Sequence, residues 1–139
     1  MITKAKFNAL IAKEIPWAVE VGIRATRVAR GRAVLLLPFG RRSLRPGGTI
    51  SGPTMMALAD LTMYAALLSL DSRVTLAVTT SFNINFLYRP SPGGLVAEGR
   101  VIKHGKRLAV MEVILHSEGH AEPVAHATGT YSIPPKKGG

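Results

Sequence analysis

The stretch Ser51-Gly52-Pro53-Thr54-Met55-Met56-Ala57-Leu58-Ala59-Asp60-Leu61-Thr62-Met63-Tyr64-Ala65-Ala66-Leu67-Leu68-Ser69-Leu70 decides how this chain folds. From residue 53 to residue 70 apolar side chains occupy nearly every side of the helical wheel, so this helix is expected to be buried all round. Ser51 or Gly52 can cap its start, and Pro53 suits the first turn, where a missing N–H is no loss. The uncharged run 61–70 is about half of the roughly 20 residues that a membrane span requires. A core helix of a soluble protein, with no membrane partner, is the expectation.

A helix apolar on all sides needs a cover, and the rest of the 139 residues must supply it. Upstream, Thr3 can cap a short helix in which Phe7, Leu10, Ile11 and Ile15 recur at helical spacing, and Pro16 ends it. Residues 21–28 and 33–38 read as strands joined by the turn chemistry of Arg30-Gly31-Arg32, and a Pro/Gly-rich loop, 43–52, follows. Downstream, residues 74–88, Leu95–His104, Leu108–Ser117 and residues 124–133 read as strands separated by Pro/Gly, Gly-Lys-Arg and Glu-Gly turns. Helix, hairpin, apolar helix, then a meander predict an α+β fold: one antiparallel sheet wrapped around a central helix, in a single domain over residues 1–139. The tail Pro134-Pro135-Lys136-Lys137-Gly138-Gly139 contributes little to it.

One residue does not belong in that helix. Asp60 is the only charge between Arg45 and Asp71, and burying an ionised carboxylate costs several kcal/mol, on the order of what a whole domain has to spare, unless partners compensate. It is either a structural carboxylate, bonded to a strand backbone or to an arginine of a second subunit, or a functional one, because desolvated carboxylates cluster at sites. The helix start offers a second component. Free N–H groups carried by Gly52 and Thr54 form a donor site for developing negative charge, aided by the helix dipole. The eight residues between Gly52 and Asp60 correspond to about 12 Å along one helix axis. One carbonyl cannot easily be served by both from the same chain, so joint action predicts a dimer with two composite sites.

Composition narrows the alternatives. With no cysteine, disulfide scaffolds, thiolate metal sites and cysteine nucleophiles are excluded, and a reducing, cytoplasmic setting is expected. The N-terminal residues carry Lys4, Lys6 and Lys13 without a continuous apolar block, unlike a secretory signal. No metal is expected: His116, Glu118, His120 and Glu122 alternate as ligands would, but Gly119 and Pro123 put them at a strand end and turn. No phosphate loop or nucleophile elbow is present. The formal charge of +10 asks for an anionic partner. Nucleic acid is not expected, since Tyr64, Phe82 and Phe86 fall on apolar helix and strand patterns rather than among basic residues. The basic residues concentrate instead in the loop with Arg41, Arg42 and Arg45 and in the turn 103–107, and both are expected to flank the site.

Four segments together, Gly48-Thr49-Ile50-Ser51-Gly52-Pro53, Ala57-Leu58-Ala59-Asp60, Phe82 to Pro90 (FNINFLYRP) and Lys103-His104-Gly105-Lys106-Arg107-Leu108-Ala109-Val110, resemble the hot-dog-fold acyl-CoA thioesterases of the PaaI-like, phenylacetate-degradation type. The resemblance runs over residues 21–133. It implies a hot-dog sheet wrapped around its helix, a homodimer that pairs into a homotetramer, and hydrolysis of a small or medium acyl-CoA. Coenzyme A enters as part of the substrate and no separate cofactor is implied. Asp60 would act as nucleophile or general base, the Gly52 N–H would polarise the thioester carbonyl, and Thr80 or its neighbour Thr79 would place the water. Substrate contacts are implied at Ser51, Pro53, Met63, Tyr64, Thr79, Ser81 and Asn83, and coenzyme A contacts at Arg89, Lys103, His104, Gly105, Lys106 and Arg107. The motif departs from the family's His-Gly-Gly, which here reads Ser51-Gly52-Pro53. Two rivals share the fold: a non-catalytic acyl-CoA-binding protein, and an enoyl-CoA hydratase-like enzyme, which would need a histidine beside the carboxylate.

Overall fold

The computed structural model describes residues 2–40 and 43–135, with the backbone alone at Ser72 and Arg73. Arg41 and Arg42 of the basic loop, and residues 136–139 of the tail, lie outside the described residues. The first helix, α1 (Lys4–Glu14), is capped by Thr3, whose hydroxyl accepts from the Lys6 N–H, and it buries Phe7 and Ile11. Pro16 does more than end it. It opens a second helix, α2 (Pro16–Val21), closed by Gly22 in the left-handed conformation at φ 80°. The strand expected from residue 21 therefore begins only at β1 (Arg24–Ala29). Two β-branched valines, Val19 and Val21, favour a strand by propensity, but burial of Ala18 and the glycine cap decide for a helix.

β1 and β2 (Arg32–Leu37) form the expected hairpin. Its two turn residues, Arg30 at φ 52° and Gly31 at φ 77°, both take the left-handed conformation that a two-residue hairpin turn requires. The central helix, α3 (Gly52–Leu68), follows. The strand expected over residues 74–88 starts later and ends sooner: Ser72–Leu76 form a 3-10 turn, and β3 (Val78–Phe86) follows it. β4 (Leu95–His104) and β5 (Leu108–Ser117) have the bounds expected, and β6 is Pro123–Ser132.

The six strands make one antiparallel sheet in the order β1-β2-β4-β5-β6-β3. This is not the meander read from the sequence. β4 pairs with β2, so the chain leaves β2, passes through α3, lays β3 at the far edge and crosses back. Strand patterning marks which residues are strands but not which strands are neighbours; the helix filling the trough of the sheet decides that.

α3 packs chiefly on β4, β2 and β5 and very little on β6 and β3. It comes close because two strand positions carry no side chain. A Cβ at Gly99 would lie 2.8 Å from Thr62 Cγ2, and one at Gly129 would lie 2.6 Å from Met63 Sδ. Leu58, Ala59, Thr62, Met63, Ala65, Ala66, Leu67 and Leu68 are buried. Pro53, Met56, Ala57, Asp60 and Tyr64 are not, and their spacing of three, one, three and four residues draws one stripe along the helix. In a single chain the helix is thus buried on all but one flank, and Asp60 stands on that flank.

Candidate active site

Three hydrogen bonds hold Asp60. Thr79, at the start of β3, donates its hydroxyl to Asp60 Oδ1 at 2.8 Å. The Tyr131 hydroxyl, at the end of β6, lies 2.8 Å from the same Oδ1 and 2.8 Å from the main-chain oxygen of Asp60, and shares its one proton between them. Oδ2 has no hydrogen-bond partner among the described residues. Tyr131 is 3% exposed. Burial first, and the adjacent Asp60 charge second, push its phenol far above the ordinary range, so it stays a proton donor. Tyr64 stacks on it with ring centroids 6.5 Å apart and donates to the Thr75 carbonyl at 2.8 Å. Its phenol is raised as well, by burial and then by the charge of Glu14.

The helix start is built by a tight loop. Arg45 N–H donates to Thr49 O, Leu44 bridges Ile50, and Ser51 N–H donates to Ser43 O, which leaves Ser51 poised as the cap. Its Oγ accepts from the Thr54 N–H at 3.3 Å. Thr54 is therefore not one of the free donors expected there. The Gly52 N–H, by contrast, makes no hydrogen bond among the described residues. Gly52 faces the Phe86 ring, 3.5 Å from where its Cβ would be, at the far end of β3 from Thr79.

Two hollows meet at Asp60, and Ala57, Asp60 and Thr79 wall both. One, about 430 Å³, lies toward Ile15, Trp17, Leu61, Tyr64, Ala77, Val78 and Tyr131. The other, about 380 Å³, lies toward Pro53, Met56 and Phe82. Both are almost wholly apolar apart from the carboxylate and its hydroxyl partners.

The residues singled out from the sequence distribute unevenly around this centre. Asp60, Thr79, Tyr64 and Pro53 line the hollows, and Ser51 and Gly52 form the helix start. The Thr80 hydroxyl turns to the Thr130 carbonyl at 3.1 Å; a bulge in β3 between Thr79 and Ser81 puts Thr79 rather than Thr80 on Asp60. Met63 is fully buried against Gly129 and reaches neither hollow. Phe82 and Ile84 pack toward the core, so Ser81 and Asn83, which alternate with them, fall on the opposite face of the sheet from Asp60.

The basic turn lies at the Asp60 end of the sheet. Across four strands Thr79 pairs with Tyr131, Tyr131 with Ala109 and Ala109 with His104. His104 sits 3.8 Å from Asp71, Arg107 donates to the Ile133 carbonyl, Gly105 N–H donates to Leu108 O, and Lys103 and Lys106 are exposed. Arg89 is elsewhere: it donates to Gly47 O beside the helix start, roughly 20 Å away along β3. Within one protomer Arg89 and the turn 103–107 thus sit at opposite ends and do not jointly flank Asp60. His116 pairs with Glu98 at 3.3 Å and His126 with Glu112 at 2.9 Å, where the imidazole and Arg100 hold the Glu112 carboxyl below its usual range against a smaller opposing effect of burial. Among the described residues no three potential ligands gather as a metal site.

Tyr131 and Trp17 carry no motif, and the sequence reading missed both. For Tyr131 a signal existed: the inward positions of β6 read Ala125, Ala127, Gly129, all small where the helix presses down, and then a tyrosine.

A sheet wrapped around one helix is the hot-dog fold, and here a lone carboxylate stands on the helix flank that the sheet leaves open. Residues 47–124 match the family model of the thioesterase superfamily, and the chain belongs to that family. A candidate thioesterase of Silicibacter sp. TM1040 with a known crystal structure is 40% identical, over 97% of this chain and 94% of that one, with a TM-score of 0.89. The phenylacetic acid degradation protein PaaI of Thermus thermophilus, solved as a point mutant, is 26% identical over 86% of this chain and 99% of its own, with a TM-score of 0.75. A hypothetical thioesterase of Streptococcus pneumoniae, solved with coenzyme A, shares the fold at 22% identity, over 81% of this chain and 86% of that one, with a TM-score of 0.73. The class of chemistry these support is thioester hydrolysis. No described helix is long and apolar enough to cross a membrane.

Proposed function

We propose that the protein is an acyl-CoA thioesterase in which Asp60 of one protomer and the Gly52 N–H of its partner act on the same carbonyl. The observation that carries this reading is the state of Asp60: Oδ1 is held by two hydroxyls while Oδ2 has no partner among the described residues, at the junction of two apolar hollows. A carboxylate held in this way is oriented to take a proton from water. Water adds to the thioester carbon as Oδ2 accepts its proton, and the oxyanion that forms is met by the Gly52 N–H at the positive end of α3. Collapse breaks the C–S bond, and the departing thiolate recovers the proton from Asp60, giving the free acid and coenzyme A. The donors around Asp60 are hydroxyls of Thr79 and Tyr131, not the imidazole a hydratase would need.

Support for the shared site comes from β3. It is an edge strand that pairs only with β6, and it carries exposed Val78 and Phe86, followed by exposed Leu87 and Tyr88. Such an edge is a template for another strand. Two copies paired antiparallel about a two-fold axis at the middle of β3 would lay the Thr79 end of one along the Phe86 end of the other. The partner's helix start would then arrive beside Asp60, with its Arg89 region, while the turn 103–107 supplies cations on the near side. Coenzyme A, found on the Streptococcus pneumoniae relative, carries the phosphates that such cations fit. A set of acyl-CoA thioesters assayed with a thiol reagent tests the activity: thiol release is expected, and saturable binding without release from any acyl chain would overturn the enzyme in favour of a binding protein. A single turnover in heavy-oxygen water separates water attack from attack by Asp60 itself, which would place the label in the Asp60 carboxylate.

A further inference from the structure

The larger hollow beside Asp60 has a chemistry of its own. Its side walls are Ile15 and Trp17 from the junction of α1 and α2, Leu61 and Tyr64 from α3, and Val78 from β3, with Asp60 and Tyr131 at the inner end. Among the described residues no lysine, arginine or histidine lines it, and the charge that acts on its Tyr64 is that of Glu14. Every hydroxyl proton in it is already committed: Tyr64 to Thr75 O, Tyr131 to Asp60, Thr79 to Asp60 Oδ1. Apart from the Trp17 indole N–H, an acceptor group buried beside Asp60 and Tyr131 would find no uncommitted side-chain donor among the described residues, and a carboxylate there would face Asp60 with no described cation, each a cost of more than about 1 kcal/mol. The pantetheine arm of coenzyme A, with its amides, is excluded on the same ground. What remains is hydrocarbon.

The geometry points to this hollow as the chamber for the acyl group, selective for uncharged hydrocarbon chains, with Trp17 as the wall that limits their length. The inference rests on the thioesterase reading above and adds the substrate class. Trp17 comes from the N-terminal helices, outside residues 47–124, which the family model matches. Its place there is set by Pro16 at the first position of α2 and by buried Ala18, which anchor the turn of chain that presents the indole.

Trp17 is the only tryptophan in the protein, and its emission reports directly on the chamber. The full-length protein is titrated with S-hexyl-CoA, a thioether that cannot be hydrolysed, with S-(3-carboxypropyl)-CoA and with coenzyme A alone, and binding is followed in parallel by calorimetry. The expected result is a saturable change of Trp17 emission with S-hexyl-CoA, no such change with coenzyme A, and affinity at least roughly tenfold weaker for the carboxylated analogue, the scale of a buried unpaired group. Bound S-hexyl-CoA that leaves the emission unchanged, equal affinity for the carboxylated analogue, or no alkyl-CoA binding by calorimetry overturns the chamber. Trp17→Ala should raise the ratio of kcat/KM for decanoyl-CoA over butyryl-CoA by about tenfold or more, the scale of methylene discrimination in an apolar pocket; an unchanged ratio also overturns it. Binding with emission change but no thiol release sinks the thioesterase reading and leaves the chamber intact.

Discussion

The two flanks of α3 are made of similar residues and end in opposite states. On one, Thr62 and Met63 are pressed against Gly99 and Gly129 so closely that a single added carbon has no room. On the other, Pro53, Met56, Ala57, Asp60 and Tyr64 look out over β6 and β3 with two hollows between. Met56 is 41% exposed although it is as apolar as the buried Met55 before it. The closed flank is satisfied by its own sheet, so its residues are replaceable only by residues of the same shape. The open flank has no cover among the described residues, which leaves the carboxylate accessible there and the flank free for the substrate and the second subunit that we propose.

If that contrast is right, substitutions on the open flank change rate and not folding. Asp60→Asn keeps the size and an acceptor for Thr79 but removes the base. Thiol release should fall by about 10²–10⁴-fold, with the melting temperature within a few degrees of the parent. Activity near the parent rate would break the assignment of Asp60. Gly52→Pro tests the partner half: proline is accepted at a first helical position and lacks the N–H, so a loss of about 10²–10³-fold is expected. Neither variant alone separates a shared site from a local one, but their mixture does. In a heterodimer of the two, a shared site gives one doubly damaged centre and one intact centre, so co-refolded mixtures should regain activity that each variant lacks. Failure to complement, with heterodimers verified by mass, would overturn a site shared between protomers.

Substitutions on the closed flank should do the reverse. Gly99→Ala drives a methyl into Thr62 Cγ2, a stiff β-branched side chain on the helix, and should cost about 1–3 kcal/mol, visible as a drop of several degrees in thermal unfolding with kcat retained in the folded fraction. Gly129→Ala meets the flexible end of Met63 and should cost less. If Gly129→Ala proves the worse of the two, the helix is held on the sheet differently from the packing described.

Much of the closed flank was legible in the sequence, because a continuous apolar helix and the alternation in Leu95–His104 and Leu108–Ser117 report burial directly. Asp60 was legible for the same reason inverted, as the one charge in that pattern. The open flank was not. That the helix has one uncovered stripe depends on β3 lying beside β6 and not β4, a matter of strand order that periodicity cannot carry. The choice of Thr79 over Thr80 hangs on a bulge, which shifts the face of a strand by one residue without leaving a mark in composition. Trp17 was hidden because the six residues of α2, too few to show a helical period, fall between the helix expected to end at Pro16 and the strand expected from residue 21.

Tyr131 belongs to both flanks, and it offers the finest test of their separation. Its ring is buried with the closed side, while its hydroxyl ends on Asp60 at the open side. Tyr131→Phe retains the ring, the stack on Tyr64 and the filled volume, and deletes only the donor. A hydrogen bond to a charged group is worth about 1.5–3 kcal/mol, but Thr79 still holds Oδ1, so about a tenfold fall in kcat is expected with KM nearly unchanged. The split matters because Tyr131 touches the carboxylate and is argued to act through it, as a positioning residue. Were KM to rise with kcat unchanged, the hydroxyl would be serving substrate binding instead. Were thermal stability to fall by more than about 1.5 kcal/mol, the ordinary limit for one neutral hydrogen bond, while kcat held, the hydroxyl would belong to the closed flank alone and Asp60 would be oriented by Thr79 without it.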